Sequence, residues 1–508
     1  MSDKNNENIN AKTFNGVIWN YVNKFGLQLL HLLPTMVLTR LLTAEEFGVV
    51  AVAAIFTSFV AIFVSSGFSM AIIQKKELTH IDICSVFYFN IVISIVMYIL
   101  VYAASPFIAT FFSMPEVCEI LRVSGLALII GAIGAVQGTL FSKELNFKSI
   151  TIRNLLSYFV ASVVAIILAL QGYGYWALVV QGLISAFMTS ACNWALSSWR
   201  PSLSFSFTSL KTMFGFGSKL LLKNISDLFF GKIYDFVIGK ISAADLAYFN
   251  RAYSTSNLFT DTFLMVLNSV AFPAFSKMQS NFERLRKNII RFFLIEMMII
   301  PFIMILAIAL AKPIIHILYS SRWDAVIPLF QVLCIWGIFR PISCIFANGL
   351  MAYGASGACL KNSFIGRGLN IMLLIFTWKH GLLIMITGQL IAYILEIILY
   401  AHSFKKIFKY GYMDLIRDVS PYIAIATVIG AILYAINQYI LAPSLSFIHS
   451  ELLVASIQLA ICLLLSLIIF IFAYKKLKLS AFVDFIGIIY DVLGKYPKLQ
   501  KFIRMITN

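Results

Sequence analysis

The chain has 508 residues, of which 60% are hydrophobic and only 12% charged, with a mean hydropathy of +0.90. So little polar surface cannot clothe a soluble globule, and an all-α integral membrane protein is expected. The formal net charge of +17 follows from where the basic residues fall along the chain and requires no nucleic acid partner.

Residues 1–12 are polar and Asn-rich. They lack the apolar run and small-residue cleavage site of a secretory signal peptide and read as a cytoplasmic N-terminus. Apolar stretches long enough to cross a bilayer, about 20 residues each, follow near 15–37, 46–71, 83–109, 121–140, 154–171 and 174–199. After a short break a second set runs 213–239, 246–275, 291–311, 325–350, 362–378, 381–401, 420–441 and 452–473, giving about 14 transmembrane helices. No connection exceeds about 20 residues, so function must reside in the spans. Cytoplasmic loops accumulate Lys and Arg. The N-terminus, the even-numbered loops and the C-terminal tail hold 25 of the 39 basic residues, which places both termini in the cytoplasm. The tail alternates apolar residues with Asp484, Asp491, Lys495, Lys498, Lys501 and Arg504, as an amphipathic helix on an anionic leaflet would. The seven cysteines are scattered without CxxC spacing and read as small apolar core residues.

Phe14 to Val50 and Met213 to Phe249 read as two copies of one segment, 199 residues apart. Gly16 meets Gly215, Lys24 meets Lys223, and the loop Thr43-Ala44-Glu45-Glu46-Phe47 meets Ser242-Ala243-Ala244-Asp245-Leu246. Internal repeats of this kind mark transporter folds. Both loops carry a hydroxyl-x-x-acid pattern that caps a helix N-terminus. Glu46 also lies in an outward loop where a membrane glycosyltransferase would place a carboxylate, but capping explains both copies and catalysis only one.

Charge inside the spans is the functional signal. Between Met213 and Lys240 the seventh span carries Lys219, Lys223, Asp227, Lys232 and Asp235, and each such charge facing hydrocarbon costs roughly 2.5–3.5 kcal/mol at mid-depth. Lys219, Lys223 and Asp227 are four apart and share a face, which should line a water-filled cavity. The first span adds Asn20, Asn23, Lys24, Gln28 and His31, with Pro34 able to kink it, and the two polar helices are expected to face each other. Asp261, Glu296, Arg340 and Glu396 are further embedded charges. The candidate contacts for an anionic substrate are Lys24, Lys219, Lys223, Arg340 and Lys232. Asn23, Gln28, Asp227, Asp235, Glu296 and Glu396 are cavity-lining or ion-coupling candidates. A cation in such a cavity regains from an anionic ligand what it lost in water. An inside-negative potential adds about 2.3 kcal/mol per charge per 100 mV to outward movement of that ligand, which fits export of a diphosphate. No GxxxxGK[ST], HExxH or GxSxG signature is present. The six histidines are far apart, and neither enzymatic activity, a metal nor a cofactor is expected.

Arg40-Leu41-Leu42-Thr43-Ala44-Glu45-Glu46-Phe47-Gly48, Gly67-Phe68-Ser69-Met70-Ala71-Ile72-Ile73-Gln74-Lys75-Lys76, Gly174-Tyr175-Trp176-Ala177-Leu178-Val179, Tyr248-Phe249-Asn250-Arg251-Ala252-Tyr253 and Phe272-Pro273-Ala274-Phe275-Ser276 together resemble the polysaccharide transporter family. These are the Wzx-type, colanic-acid-exporter-like flippases of the multidrug/oligosaccharidyl-lipid/polysaccharide (MOP) superfamily. Ala44 and Ala247 depart from that pattern, where proline and glycine are common. The resemblance implies two six-helix lobes, at 13–200 and 211–402, two appended helices within 418–474, a basic amphipathic tail at 475–508, and alternating access. It also implies a substrate: an undecaprenyl-diphosphate-linked oligosaccharide moved from the cytoplasmic to the periplasmic leaflet of a bacterial inner membrane. On this reading its polyprenyl tail stays in lipid along spans 13 and 14. A coupling ion (H+ or Na+), a polymerase and glycosyltransferases are the implied partners. Gly131, Gly134 and Gly138 would allow close helix packing. Two alternatives compete: a cation-coupled drug exporter of the same superfamily, which would want an acidic cavity, and a membrane glycosyltransferase or polymerase, which would want a sizeable outward loop.

Overall fold

The structure is a computed structural model that describes residues 2–65, 67–75, 77–477 and 479–492. Every regular element among them is helical, and the chain divides into two compact units, Met1–Ala247 and Tyr248–Asn508.

The first unit runs α1 (Ser2–Leu41), α2 (Ala44–Ser65), α3 (Gly67–Gln74), α4 (His80–Phe112), α5 (Glu116–Ser124), α6 (Leu126–Lys143), α7 (Phe147–Leu170), α8 (Trp176–Leu196) and α9 (Phe207–Ile241). Helix starts are set by side chains that accept from orphan amides: Thr79 with Asp82 reciprocally at α4, Asn146 at α7 and Ser206 at α9. α1 packs along α7, and α7 along α8. The duplication places α9 at the head of a second lobe, whereas in the structure it packs on α2, α3 and α4 within the first unit. Leu210 and Met213 enter the apolar core made by Ile83, Val86 and Val136, while Phe236 meets Phe112 edge-on at 5.3 Å.

α10 (Ala243–Lys277) begins as the first unit closes and runs on into the second, which continues α11 (Phe282–Ala309), α12 (Ala311–Tyr319), α13 (Val326–Ala352), α14 (Ser356–Thr377), α15 (Leu382–Phe408), α16 (Tyr412–Ala435), α17 (Ala442–Ser444), α18 (Glu451–Lys476) and α19 (Ser480–Val492). Its main core joins α11, α13 and α15 through buried Phe293, Phe346, Phe404 and Phe408, with Phe346 and Phe404 stacked at 4.2 Å. α19 does not simply lie free as an amphipathic anchor. Ala481 and Phe482 are buried with Tyr422 and Tyr474, and Asp484 accepts an ion pair from Arg291 at 3.0 Å. Lys495, Lys498, Lys501 and Arg504 lie outside the described residues.

A helix stands at each of the fourteen stretches read from hydropathy. Among the described residues, 11 helical stretches are long and apolar enough to cross a membrane. The other three expected spans, α1, α9 and α10, are not among them. The chain is thus a multi-pass membrane protein in which the three least lipid-compatible helices carry most of the candidate site.

Candidate functional site

Embedded charges are costly unless paired or wet, so the first question is what each candidate touches. On α9, Lys223 pairs with Asp227 at 3.1 Å, both open to solvent, and Lys232 pairs with Asp235 at 2.5 Å, where the carboxylate is buried. Lys240 donates to the Phe111 carbonyl and sits 4.8 Å from that ring's centroid. Lys219 is exposed and makes no ion pair among the described residues, and the same holds for Lys24 on α1. α9 therefore keeps a positive surplus at its Lys219 end. α1, however, turns part of its polar face onto α7 rather than toward α9. Asn154 donates to Asn23 Oδ1 at 3.1 Å and His31 rests on Tyr158 at 3.8 Å, while Gln28 is half-buried on the same helix.

The loops at the ends of α1 and α9 behave as caps. The Thr43 amide and hydroxyl donate to Glu46 Oε2 at 2.7 and 3.0 Å, and the Glu46 amide donates back to Thr43 Oγ1 at 3.3 Å. In the second copy the Asp245 amide donates to Ser242 Oγ at 3.2 Å. The two loops also meet: a β-carbon on Gly48 would overlap the backbone carbonyl of Ala243.

In the second unit, Arg340 and its neighbours form a built polar site. Arg340 donates to Asp261 Oδ1 at 2.6 Å and to Asn257 Oδ1 and Thr260 Oγ1 at 3.3 Å each. Its guanidinium lies 5.3 Å from the Trp336 centroid. Tyr253 stacks on the same indole at 6.0 Å, and Tyr393 meets it edge-on at 5.3 Å while hydrogen-bonding Ser343 at 2.6 Å. Gly337 makes this possible, because a side chain there would press on Thr260 of α10 and Met304 of α11. Sequence reading found Arg340 and noted Asp261, but missed Tyr253, Asn257, Trp336 and Tyr393. The available signal was spacing: 253, 257 and 261 share one helical face, as do 336, 340 and 343.

The two acidic candidates differ. Glu296 is fully buried, and neither carboxylate oxygen has a hydrogen-bond partner among the described residues. Glu396 is half-buried, packs onto Gly366, and has Arg367 within electrostatic reach. Glu296 belongs to α11 and Glu396 to α15, both in the second unit.

Comparison with known proteins adds a family and a fold. Residues 37–328 match the model of a family described as polysaccharide biosynthesis protein. The succinoglycan biosynthesis transport protein ExoT of Rhizobium meliloti (strain 1021) is 26% identical over 66% of this chain and 68% of its own length. The lipopolysaccharide biosynthesis protein WzxC of Escherichia coli (strain K12) is 25% identical over 68% of this chain and 70% of its own. The teichuronic acid biosynthesis protein TuaB of Bacillus subtilis (strain 168) is 23% identical over 79% and 86%. Among solved structures, the lipid II flippase MurJ in an inward closed conformation aligns with a TM-score of 0.70 at 16% identity, over 91% of this chain and 99% of that one. An inward-facing multidrug resistance MATE family transporter of the MOP superfamily aligns with a TM-score of 0.53 at 18% identity, over 75% and 95%. At these identities the structural likeness speaks for the fold: this chain has the fold of MOP-superfamily transporters.

Proposed function

The chain belongs to the polysaccharide biosynthesis protein family, and from that premise we propose that it flips an undecaprenyl-diphosphate-linked oligosaccharide from the cytoplasmic to the periplasmic leaflet by alternating access. The observation that carries this reading is the charge state of α9. After Lys223 pairs with Asp227 and Lys232 with Asp235, Lys219 stands exposed without an ion-pair partner among the described residues. An unneutralised ammonium on a spanning helix is sustained by water and by an anionic ligand. Lys219 and Lys24 are the primary diphosphate contacts on this reading. Lys223, whose pair with Asp227 is exposed and weak, can exchange that partner for a phosphate. Lys232, bound to a buried carboxylate, and Arg340, bound to Asp261, are the poorer phosphate ligands of the five.

The bacterial inner membrane with both termini cytoplasmic is the location we assign, from the distribution of Lys and Arg. Glu296 and Glu396 are the proposed sites for a coupling proton or sodium ion, and a polymerase and glycosyltransferases are the proposed partners. A drug exporter of the same fold would be served by an acidic cavity, and the surplus on α9 has the wrong sign. Glu46, held in its cap, offers no free carboxylate for glycosyl transfer, so the chain is read as a transporter.

The test is Lys219→Glu in the source cell, with protein level and surface polysaccharide measured together. A drop of about tenfold, the equivalent of losing about 1.4 kcal/mol of binding, is expected at normal protein level. Normal polysaccharide at normal protein level would remove Lys219 from the site.

A further inference from the structure

The Arg340 cluster is chemically unlike the α9 lysines. Arg340 and Asp261 cancel, so the cluster has no surplus charge with which to hold a diphosphate. Nor does it look like a core ion pair, because the Asp261 side chain is 54% exposed and that of Arg340 28%. A carboxylate so exposed partway along a 35-residue helix cannot face hydrocarbon, and this surface is therefore wet. What it offers is a mixture: a carboxylate oxygen as acceptor, guanidinium and indole N–H groups as donors, the Asn257 amide as both, and the Tyr253 and Trp336 rings alongside.

That mixture matches a pyranose. A sugar ring presents hydroxyls around its edge, each able to donate and accept, and a C–H face that packs on the negative face of an aromatic ring. A phosphate would be repelled by Asp261, and a cationic drug by Arg340. The donors are also fixed in advance. The guanidinium is held by Asp261, Asn257 and Thr260 and lies against Trp336, so little side-chain freedom is lost when a ligand arrives. We propose that Tyr253, Asn257 and Asp261 of α10 with Trp336 and Arg340 of α13 form a subsite for a sugar ring of the transported head group, separate from the lysines that take the diphosphate. This assignment rests on the lipid-linked oligosaccharide reading.

The test uses the full chain in lipid nanodiscs and two probes: undecaprenyl diphosphate without sugar, and the lipid-linked oligosaccharide fraction extracted from membranes of the source cells. Asp261→Asn and Trp336→Leu should weaken capture of the glycosylated lipid about tenfold while leaving undecaprenyl diphosphate within about twofold. Trp336→Phe, which keeps an aromatic face, should recover most of the loss, and Lys219→Ala should weaken both probes alike. If the α10 and α13 variants lose both probes equally, or neither, the sugar subsite is overturned and the flippase reading stands. If the unaltered chain captures neither probe, the flippase reading falls and takes the subsite with it.

Discussion

Glu46 accepts two hydrogen bonds from Thr43 and returns one through its own amide, so its carboxylate is committed to starting α2. Glu46→Gln keeps an acceptor in place and should leave both stability and surface polysaccharide near normal. Glu46→Ala and Thr43→Ala, which each break the reciprocal cap, should lower stability by about 1 kcal/mol, read as a fall in the thermal midpoint of the detergent-solubilised protein. Abolished sugar transfer in Glu46→Gln membranes, with the fold intact, would instead revive a catalytic carboxylate. The cap was legible in the sequence because its partners are three residues apart and the pattern occurs twice. The Arg340–Asp261 pair was not, since its members belong to different spanning helices and nothing local marks which embedded charges meet. Arg340 was accordingly grouped with phosphate-binding lysines on charge alone, and only its neighbours distinguish it.

Helices test the same boundary between local and tertiary information. Hydropathy located the long apolar stretches, of which 11 among the described residues are long and apolar enough to cross a membrane, because length and composition are local properties. It could not say which neighbour each helix packs on. The polar face of α1 was expected to look toward α9, yet Asn23 and His31 meet Asn154 and Tyr158 of α7. Spacing alone cannot distinguish a polar face lining water from one hydrogen-bonded to the next helix. The three glycines of α6 make the point sharply. A β-carbon on Gly134 would lie 2.8 Å from Ser190 Cα on α8, and one on Gly138 would lie 2.9 Å from an Arg153 guanidinium nitrogen, whereas one on Gly131 meets nothing within 4 Å. Gly134→Leu should therefore destabilise by about 1–3 kcal/mol or more through overpacking. Gly131→Ala should be neutral or stabilise by about 0.4–1 kcal/mol through reduced unfolded-state freedom. Thermal unfolding followed by size exclusion separates the two, and equal behaviour would mean that α6 and α8 do not approach as described.

At the scale of the whole molecule, the sequence carries one hairpin pattern in two copies 199 residues apart, and the structure shows where the two copies meet. Their junction loops end up against one another, with Gly48 backed onto the Ala243 carbonyl. Backbone against backbone leaves no side chain to rearrange, so this contact admits no intermediate fit. Gly48→Val should cost about 1–3 kcal/mol or more of stability and reduce surface polysaccharide at matched protein level, and a fully active, fully stable variant would count against the contact. In a saturation scan, position 48 should then accept glycine almost alone, while the half-buried Ala44 should tolerate exchange. Mutational tolerance along the two loops would thus draw the line between positions free to change and a place where the two copies of the pattern hold each other fixed.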